Sequence, residues 1–412
     1  MKKYFHLLAI FFTVFFVYFG MSSKFTFKPK WALDYFNPLA QSIIHGHFDL
    51  VDPGTTYDLV HFRDKWYAPW GMLPALILIP LQLIRGQFIP TIYLTMTFAS
   101  LNVVIVYLLL LRMKREFFLD MKTRDIYLLL LLFAFGTTQF YVGTLGSVWH
   151  VDQMVTAFFG TLGIFVIFKK KRLFRDYMFS SILFSMALLG RATIVLGIIL
   201  PGILYLWEFF KRTIRKDRIE AFKRRFLIFG LPLLSFSIFF FLYNYARFQN
   251  PFEYGYKYIQ EAPYLQRIRE SNGILSLRNI STNLWYMIFE VPNLTFNRTV
   301  VLDFNLKGNS IFFLTPPFLA IFLTSPIVRK KKRFIVDPYI TSLWAAVIVG
   351  MLPSLMIYST GWMQFGFRYS LDITVMLLLL SVFGMKGRLN ILYVLGILFS
   401  ISMYVLGIQS LL

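Results

Sequence analysis

The chain has 412 residues, of which 57% are hydrophobic and only 15% are charged, and its mean hydropathy is +0.62. These values exclude a soluble globular domain of this length. The absence of cysteine excludes disulfides, iron–sulfur clusters and thiolate zinc sites. The formal net charge of +22 comes from short Lys/Arg clusters between apolar runs. Such clusters are typical of the cytoplasmic loops of a membrane protein, and they argue against a nucleic-acid partner.

Apolar runs long enough to cross a hydrocarbon core of about 30 Å recur along the whole chain. The first follows Met-Lys-Lys without a clear cleavage site, so we expect an uncleaved first span. The sequence therefore predicts an all-α polytopic membrane protein that forms one integral membrane domain over 1–412. About eleven transmembrane helices are expected, at 5–21, 90–111, 126–142, 151–168, 177–192, 194–210, 226–246, 309–328, 338–358, 370–384 and 389–410.

The proline-bounded apolar run 71–84 decides the orientation of the chain. Counted as a full span, it would place every later basic cluster outside the cell, against the positive-inside rule. We therefore predict a helix that lies in the interface or dips into the outer leaflet. The amino terminus is then cytoplasmic and the carboxyl terminus external. Two outer segments are long, 24–89 and 247–308.

The first outer segment holds five of the 20 acidic residues of the chain. Apolar positions with helical spacing begin at Leu33, which predicts an amphipathic interfacial helix with Asp34 in its first turn. Two roles stay open for Asp34. It either acts only as an acid at the helix start or is a catalytic base. His61, Lys65 and Tyr67 of the same segment are candidates for substrate binding.

Two arginines are candidates for binding a phosphate group at the outer face. Arg191 lies between two short spans without an acidic neighbour in sequence, and an unpaired cation at membrane depth is a functional candidate. A guanidinium can bind two phosphate oxygens at once, although an arginine reaching to the interface is the alternative. Arg368 begins another span, where either a phosphate or Asp372, four residues later, is its expected partner.

Further outer-face residues are candidates for substrate contacts. His150 and Asp152 stand at the outer end of one span and could bind an acceptor or a cation, although two ligands do not make a metal site. Tyr256 belongs to a stretch rich in aromatic and amide side chains, from Tyr243 to Tyr258. Such a stretch suits sugar recognition and equally suits an interfacial aromatic belt.

Several motifs, in order, resemble the GT-C class of membrane glycosyltransferases, specifically the protein O-mannosyltransferase and lipid A aminoarabinose-transferase group. The first outer segment contributes Asp34-Tyr-Phe-x-x-Leu-Ala and Lys65-Trp-Tyr-Ala-Pro-Trp-Gly-Met-Leu-Pro-Ala-Leu. Later parts of the chain contribute Gly190-Arg-Ala-Thr, Asn244-Tyr-x-Arg-Phe-x-Asn-Pro-Phe-Glu-Tyr-Gly-Tyr and Gly366-Phe-Arg-Tyr-Ser-Leu-Asp. The family carries a paired acid where this chain has Asp34 followed by Tyr35, which bears on substrate identity more than on reaction type.

The resemblance implies transfer of a hexose or pentose from a polyprenyl-phosphate carrier to an acceptor hydroxyl of a glycan, lipid or protein, with inversion. Asp34 would be the general base, and Arg191 and Arg368 would bind the donor phosphate. The resemblance also implies no nucleotide, and a monophosphate donor does not call for a metal. The expected location is the bacterial cytoplasmic (inner) membrane, with the site facing the periplasm or exterior.

Two other classes of protein remain alternatives at this point. A transporter or lipid flippase of envelope-glycan assembly also needs intramembrane charges and broken helices. It usually places them at the bilayer midplane between repeated halves, and this sequence shows no such repeat. The second alternative is an accessory scaffold of an envelope-assembly complex, in which Asp34 has no catalytic role.

Overall fold

The structure, a computed structural model, describes residues 2–211, 217–296, 300–330, 333–361 and 363–412. Helices dominate these residues, and the only strands among them form short antiparallel hairpins. The helices are α1 Lys2–Ser22, α2 Phe36–Ile44, α3 Leu73–Arg85, α4 Thr91–Glu116, α5 Thr123–Phe135, α6 Thr138–Gly143, α7 Val148–Ile167, α8 Phe174–Leu188, α9 Ile199–Lys211, α10 Asp217–Phe248, α11 Pro263–Asn272, α12 Ile280–Ile288, α13 Ile311–Leu314, α14 Pro338–Met356, α15 Leu371–Gly384 and α16 Ile391–Leu411. The hairpin strands are β1 Val60–Phe62 with β2 Lys65–Tyr67, β3 Asn293–Phe296 with β4 Val300–Asp303, and β5 Ile327–Lys330 with β6 Arg333–Val336.

The predicted fold class, an all-α polytopic membrane protein, is confirmed. Six helices in the described part of the chain are long and apolar enough to cross a membrane. They are Tyr4–Ser22, Thr91–Glu116, Val148–Ile167, Phe226–Phe248, Pro338–Met356 and Ile391–Leu411.

The other five predicted spans are also helical, but they are shorter or interrupted. The span predicted at 126–142 breaks between α5 and α6, where Thr137 caps the second piece by accepting from the N–H of Gln139. The span predicted at 309–328 breaks at Thr315, because the two prolines that follow lack a backbone N–H.

Both predicted interfacial helices are present. α2 begins two residues after Asp34, and α3 occupies most of the run 71–84 and packs against α2. Helix α7 lies at the centre of the fold, in contact with α3, α4, α8 and α15. Side chains in the first two turns of α7 therefore face both the first outer segment and the carboxyl-terminal half of the chain.

A close backbone contact fixes α3 against the turn that follows α8. The N–H of Gly71 donates to the carbonyl of Gly190 at 3.2 Å, and the N–H of Leu73 donates to that of Leu189 at 3.1 Å. A Cβ atom on Gly71 would lie 2.1 Å from the Leu189 oxygen and 2.3 Å from the Gly190 oxygen. Backbone atoms cannot rotate away as a side chain can, so this position requires glycine.

We therefore expect Gly71→Ala to lower the thermal midpoint of the detergent-purified protein by several degrees, through overpacking that costs about 1–3 kcal/mol. Gly202→Ala, in α9, is the matched control, because nothing lies within 4 Å of the position that its new methyl group would occupy. The same thermal midpoint for both variants would contradict the importance of this contact.

Candidate active site

The Asp34 carboxylate caps helix α2. Its Oδ1 accepts hydrogen bonds from the N–H groups of Phe36 at 2.8 Å and Asn37 at 3.2 Å, and its Oδ2 accepts from Asn37 Nδ2 at 2.5 Å. Asp34 therefore precedes the first turn of α2, whereas the sequence predicted it within that turn. A short acidic side chain binds the free N–H groups at a helix start more readily from a position outside the helix.

Asn37 holds this carboxylate in a fixed orientation. Its Nδ2 also donates to the carbonyl of Ile89 at 2.8 Å, and its Oδ1 accepts from Gln82 Nε2 at 2.8 Å. The carbonyl of Leu33 accepts from the N–H of Val148 at 2.8 Å, which places Asp34 beside the start of α7. Burial raises the pKa of the Asp34 carboxyl, against the opposing effect of hydrogen bonds from Asn37 and Phe36.

Arg191 is ion-paired in the structure, although its sequence neighbours contain no acid. Its Nη2 lies 3.4 Å from Asp372 Oδ2 and its Nη1 lies 4.0 Å from Asp152 Oδ2. Thr193 Oγ1 donates to the same Asp372 oxygen at 3.0 Å. Arg191 thus connects the start of α7 to the start of α15, and nearby carboxylates balance its charge.

Arg368 is the cation of this region that forms no direct ion pair, because Asp58 and Asp152 act on it electrostatically only from beyond ion-pair distance. It is only 7% exposed, and Asp372, its expected partner four residues later, binds Arg191 instead. Within the described residues its guanidinium makes no hydrogen bond or ion pair, and its Nε is buried without a partner. Its backbone is held firmly, because its N–H donates to Gln364 Oε1 at 2.8 Å and its carbonyl accepts from Gln153 Nε2 at 2.7 Å. A buried, well-positioned cation without a counterion is suited to bind an anion.

The two arginines share the ring of Tyr369. The guanidinium carbon of Arg191 lies 5.5 Å from the ring centroid and that of Arg368 lies 5.3 Å from it. Tyr256 of the second outer segment interacts electrostatically with Tyr369, Arg191 and Asp152. The structure therefore brings together four residues that the sequence singled out separately: Arg191, Arg368, Asp152 and Tyr256.

His150 binds protein groups with both ring nitrogens. Nδ1 lies 2.6 Å from Ser147 Oγ and Nε2 lies 3.3 Å from the hydroxyl of Tyr141, while Asp152 faces Arg191. Over the part of the chain that the structure describes, no group of three or more His, Asp or Glu residues could hold a metal ion.

The three other candidates lie on the β1–β2 hairpin. The His61 ring packs on Trp66 with the centroids 4.5 Å apart, and Lys65 Nζ lies 3.1 Å from Asp49 Oδ1. Tyr67 is buried against Phe248. Among the described residues, no hydrogen bond or ion pair joins these three side chains to the two arginines. Trp362, which precedes the motif around Arg368, lies outside the described residues.

Asp58 belongs to this region, although the sequence analysis did not single it out. Its carboxylate lies near the side chain of Trp149, in the first turn of α7, and interacts electrostatically with Glu261 and Arg368. Burial, together with the carboxylate of Glu261, raises the pKa of Asp58 to about 6. No local signal distinguishes Asp58 from the other acids of its loop, because its partners come from distant parts of the chain.

The arrangement of helices is the GT-C fold of membrane glycosyltransferases. Among solved structures, ArnT from Cupriavidus metallidurans bound to undecaprenyl phosphate is similar, with a TM-score of 0.51 and 12% identity over 94% of this chain and 61% of ArnT. The archaeal oligosaccharyltransferase AglB from Archaeoglobus fulgidus, in complex with an inhibitory peptide and a dolichol-phosphate, gives a TM-score of 0.48 and 12% identity over 100% of this chain and 56% of AglB.

The chain thus spans less than two thirds of the length of either protein. No family model and no curated protein matches the sequence.

Proposed function

We propose that the protein is a glycosyltransferase that moves a sugar from a polyprenyl-phosphate carrier to an acceptor hydroxyl at the outer face of the membrane. The observation that carries this proposal is the Arg368 guanidinium, buried in a GT-C fold without a direct ion pair among the described residues. ArnT, which has a similar fold, holds undecaprenyl phosphate. A lipid phosphate would supply the charge that Arg368 lacks.

The two arginines contribute unequally to this phosphate site. Arg368 can direct its terminal nitrogens at two phosphate oxygens, because no described carboxylate lies within ion-pair distance of them. Arg191 is already balanced by Asp372 and Asp152. Its contribution is a rigid link between α7 and α15 beside Tyr369, whose ring it shares with Arg368. Arg368 stabilises the negative charge that the leaving phosphate carries.

Asp34 is the general base of the proposed reaction. The acceptor oxygen attacks the anomeric carbon, and its proton passes to the Asp34 carboxylate. The bond between that carbon and the phosphate oxygen breaks with its electron pair remaining on the phosphate, so the anomeric centre inverts. Asn37 orients the carboxylate, and burial keeps the carboxyl more basic than an exposed aspartate.

The location and partners follow from the same interpretation. The basic clusters between spans support a site that faces away from the cytoplasm, and the proposed location is the inner membrane of a bacterium. The substrates are a polyprenyl-phosphate hexose or pentose and a glycan, lipid or protein acceptor. The residues 1–412 act as one membrane-embedded unit without nucleotide or metal.

Proteoliposomes with radiolabelled polyprenyl-phosphate sugars and an envelope extract as acceptor source test this proposal. A glycosyltransferase forms a labelled product with the opposite anomeric configuration to the donor. The alternative, a transporter or flippase, moves the labelled lipid between leaflets without forming a glycosidic bond. Lipid movement without transfer, across a panel of hexose and pentose donors, would overturn the proposed function.

A further inference from the structure

The two long outer segments are joined beside the proposed phosphate site. The N–H of Asp58 donates to the carbonyl of Gln260 at 2.7 Å, and the N–H of Gln260 donates to the carbonyl of Leu59 at 2.8 Å. Val60 and Ile259 continue this antiparallel pairing. Asp58 has a φ of +60°, a left-handed conformation that the pairing holds in place. The position of its side chain is therefore fixed by backbone contacts with the second outer segment.

The carboxylate of Asp58 retains capacity to accept hydrogen bonds. Its nearest acid, Glu261, is already bound by Arg269 Nε at 2.6 Å and by the hydroxyl of Tyr358. Asp58, in contrast, lies near the Trp149 side chain and forms no ion pair within the described chain. A half-buried carboxylate with free lone pairs is suited to bind the hydroxyl groups of a substrate.

Trp149, near this carboxylate, belongs to a connected group of aromatic rings. The rings of Tyr57 and Trp149 meet edge to face with their centroids 6.4 Å apart, and those of Trp70 and Trp149 are 6.3 Å apart. Tyr35 stacks on Trp70 at 5.9 Å. A carboxylate beside aromatic faces matches a sugar, whose C–H groups pack on rings while its hydroxyls donate hydrogen bonds.

We infer that Asp58 and Trp149 form an acceptor subsite for a carbohydrate, in which a sugar hydroxyl donates to the Asp58 carboxylate and a ring face packs on Trp149. This inference rests on the proposed function, because it places the acceptor opposite the phosphate bound by Arg368. A peptide acceptor would pair its backbone with an open strand edge. The backbone of residues 58–60 is already paired with residues 259–260.

Saturation-transfer NMR on the full-length protein in nanodiscs tests the subsite, with methyl hexopyranosides and a serine-containing tripeptide amide as probes. Wild type is expected to transfer saturation to at least one glycoside and not to the tripeptide. Asp58→Ala should weaken binding of that glycoside by about tenfold, the loss expected for a hydrogen bond to a charged group. Asp64→Ala, in the exposed turn of the β1–β2 hairpin, is the matched control.

Binding of undecaprenyl phosphate by the same variants separates this inference from the proposed function. Asp58→Ala should bind the lipid phosphate at least as tightly as wild type, because it removes an anion that acts on Arg368, and retained binding also shows that the variant is folded. Equal glycoside binding by Asp58→Ala and wild type would overturn the subsite, and so would a signal from the tripeptide alone. Failure of wild type to bind the lipid phosphate would instead count against the proposed function.

Discussion

Replacing Asp34 with asparagine is expected to reduce the rate of sugar transfer by about 10²–10⁴-fold, the contribution typical of a general base. The substitution is informative because asparagine caps a helix about as well as aspartate. Its side-chain oxygen can still accept from the N–H groups of Phe36 and Asn37, which Asp34 Oδ1 does now. The two cap hydrogen bonds are therefore preserved while the proton acceptor is lost. The hydrogen bond from Asn37 Nδ2 is lost as well, because an amide nitrogen replaces Oδ2, so the thermal midpoint is measured beside the rate. Single-turnover transfer by purified wild type and variant in proteoliposomes measures the effect.

Asp64→Asn is the matched control for this substitution. Asp64 lies in the same outer segment, is exposed, and has a φ of +58° that asparagine tolerates. It should transfer sugar at the wild-type rate. If Asp34 serves only as a helix cap, the two variants will have the same activity, and Asp34 then has no catalytic role.

The pH dependence of kcat gives an independent check on Asp34. A base must be ionised to accept a proton, so activity is lost as the pH falls through its pKa in the substrate complex. Burial raises the pKa of Asp34 above its usual value of 3.8, so the acid limb of the wild-type profile should lie above that value. The residual activity of Asp34→Asn should lack this limb.

The sequence was sufficient to predict the helices because a helix that crosses the lipid needs a run of about 20 apolar residues. Each predicted span is matched by helical structure, and the interfacial helices α2 and α3 occur where apolar spacing and bounding prolines indicated. Breaks inside spans were harder to predict. The interruption at Thr137 depends on a side-chain cap that hydropathy does not register.

The pairing of charges could not be predicted, because it depends on contacts between distant segments. The carboxylate of Asp372 lies four residues after Arg368 and still pairs with Arg191, which is 181 positions away in the sequence. Asp58 is held in position by a backbone hydrogen bond to Gln260, about 200 residues later in the chain. Periodicity and local charge spacing carry no information about such contacts. The sequence therefore identified both arginines, but not that Arg191 is ion-paired and Arg368 is not.

Arg368→Gln is expected to weaken binding of undecaprenyl phosphate by about ten- to a hundredfold and to lower sugar transfer by about 10²–10³-fold. A guanidinium that binds two phosphate oxygens loses both charge-assisted hydrogen bonds in this variant. Arg368→Lys keeps the charge but loses the forked geometry, so it should recover only part of the affinity. Equilibrium binding of fluorescent undecaprenyl phosphate in nanodiscs measures both variants.

The thermal midpoints of Arg368→Gln and Arg191→Gln should differ, because the two arginines have different partners. Arg368 forms no direct ion pair, so its removal should lower the thermal midpoint much less than removal of Arg191, although Asp58 and Asp152 lose a cation that acts on them electrostatically. Removing Arg191 leaves Asp372 and Asp152 uncompensated, and loss of one partner from a buried ion pair costs about 3–5 kcal/mol. A residue that serves binding, as proposed for Arg368, is expected to lower the stability of the free protein. A residue that serves folding, as proposed for Arg191, is expected to raise it. Equal destabilisation by both substitutions, with unchanged lipid binding, would show that Arg368 is structural and would remove the phosphate site on which the proposed reaction depends.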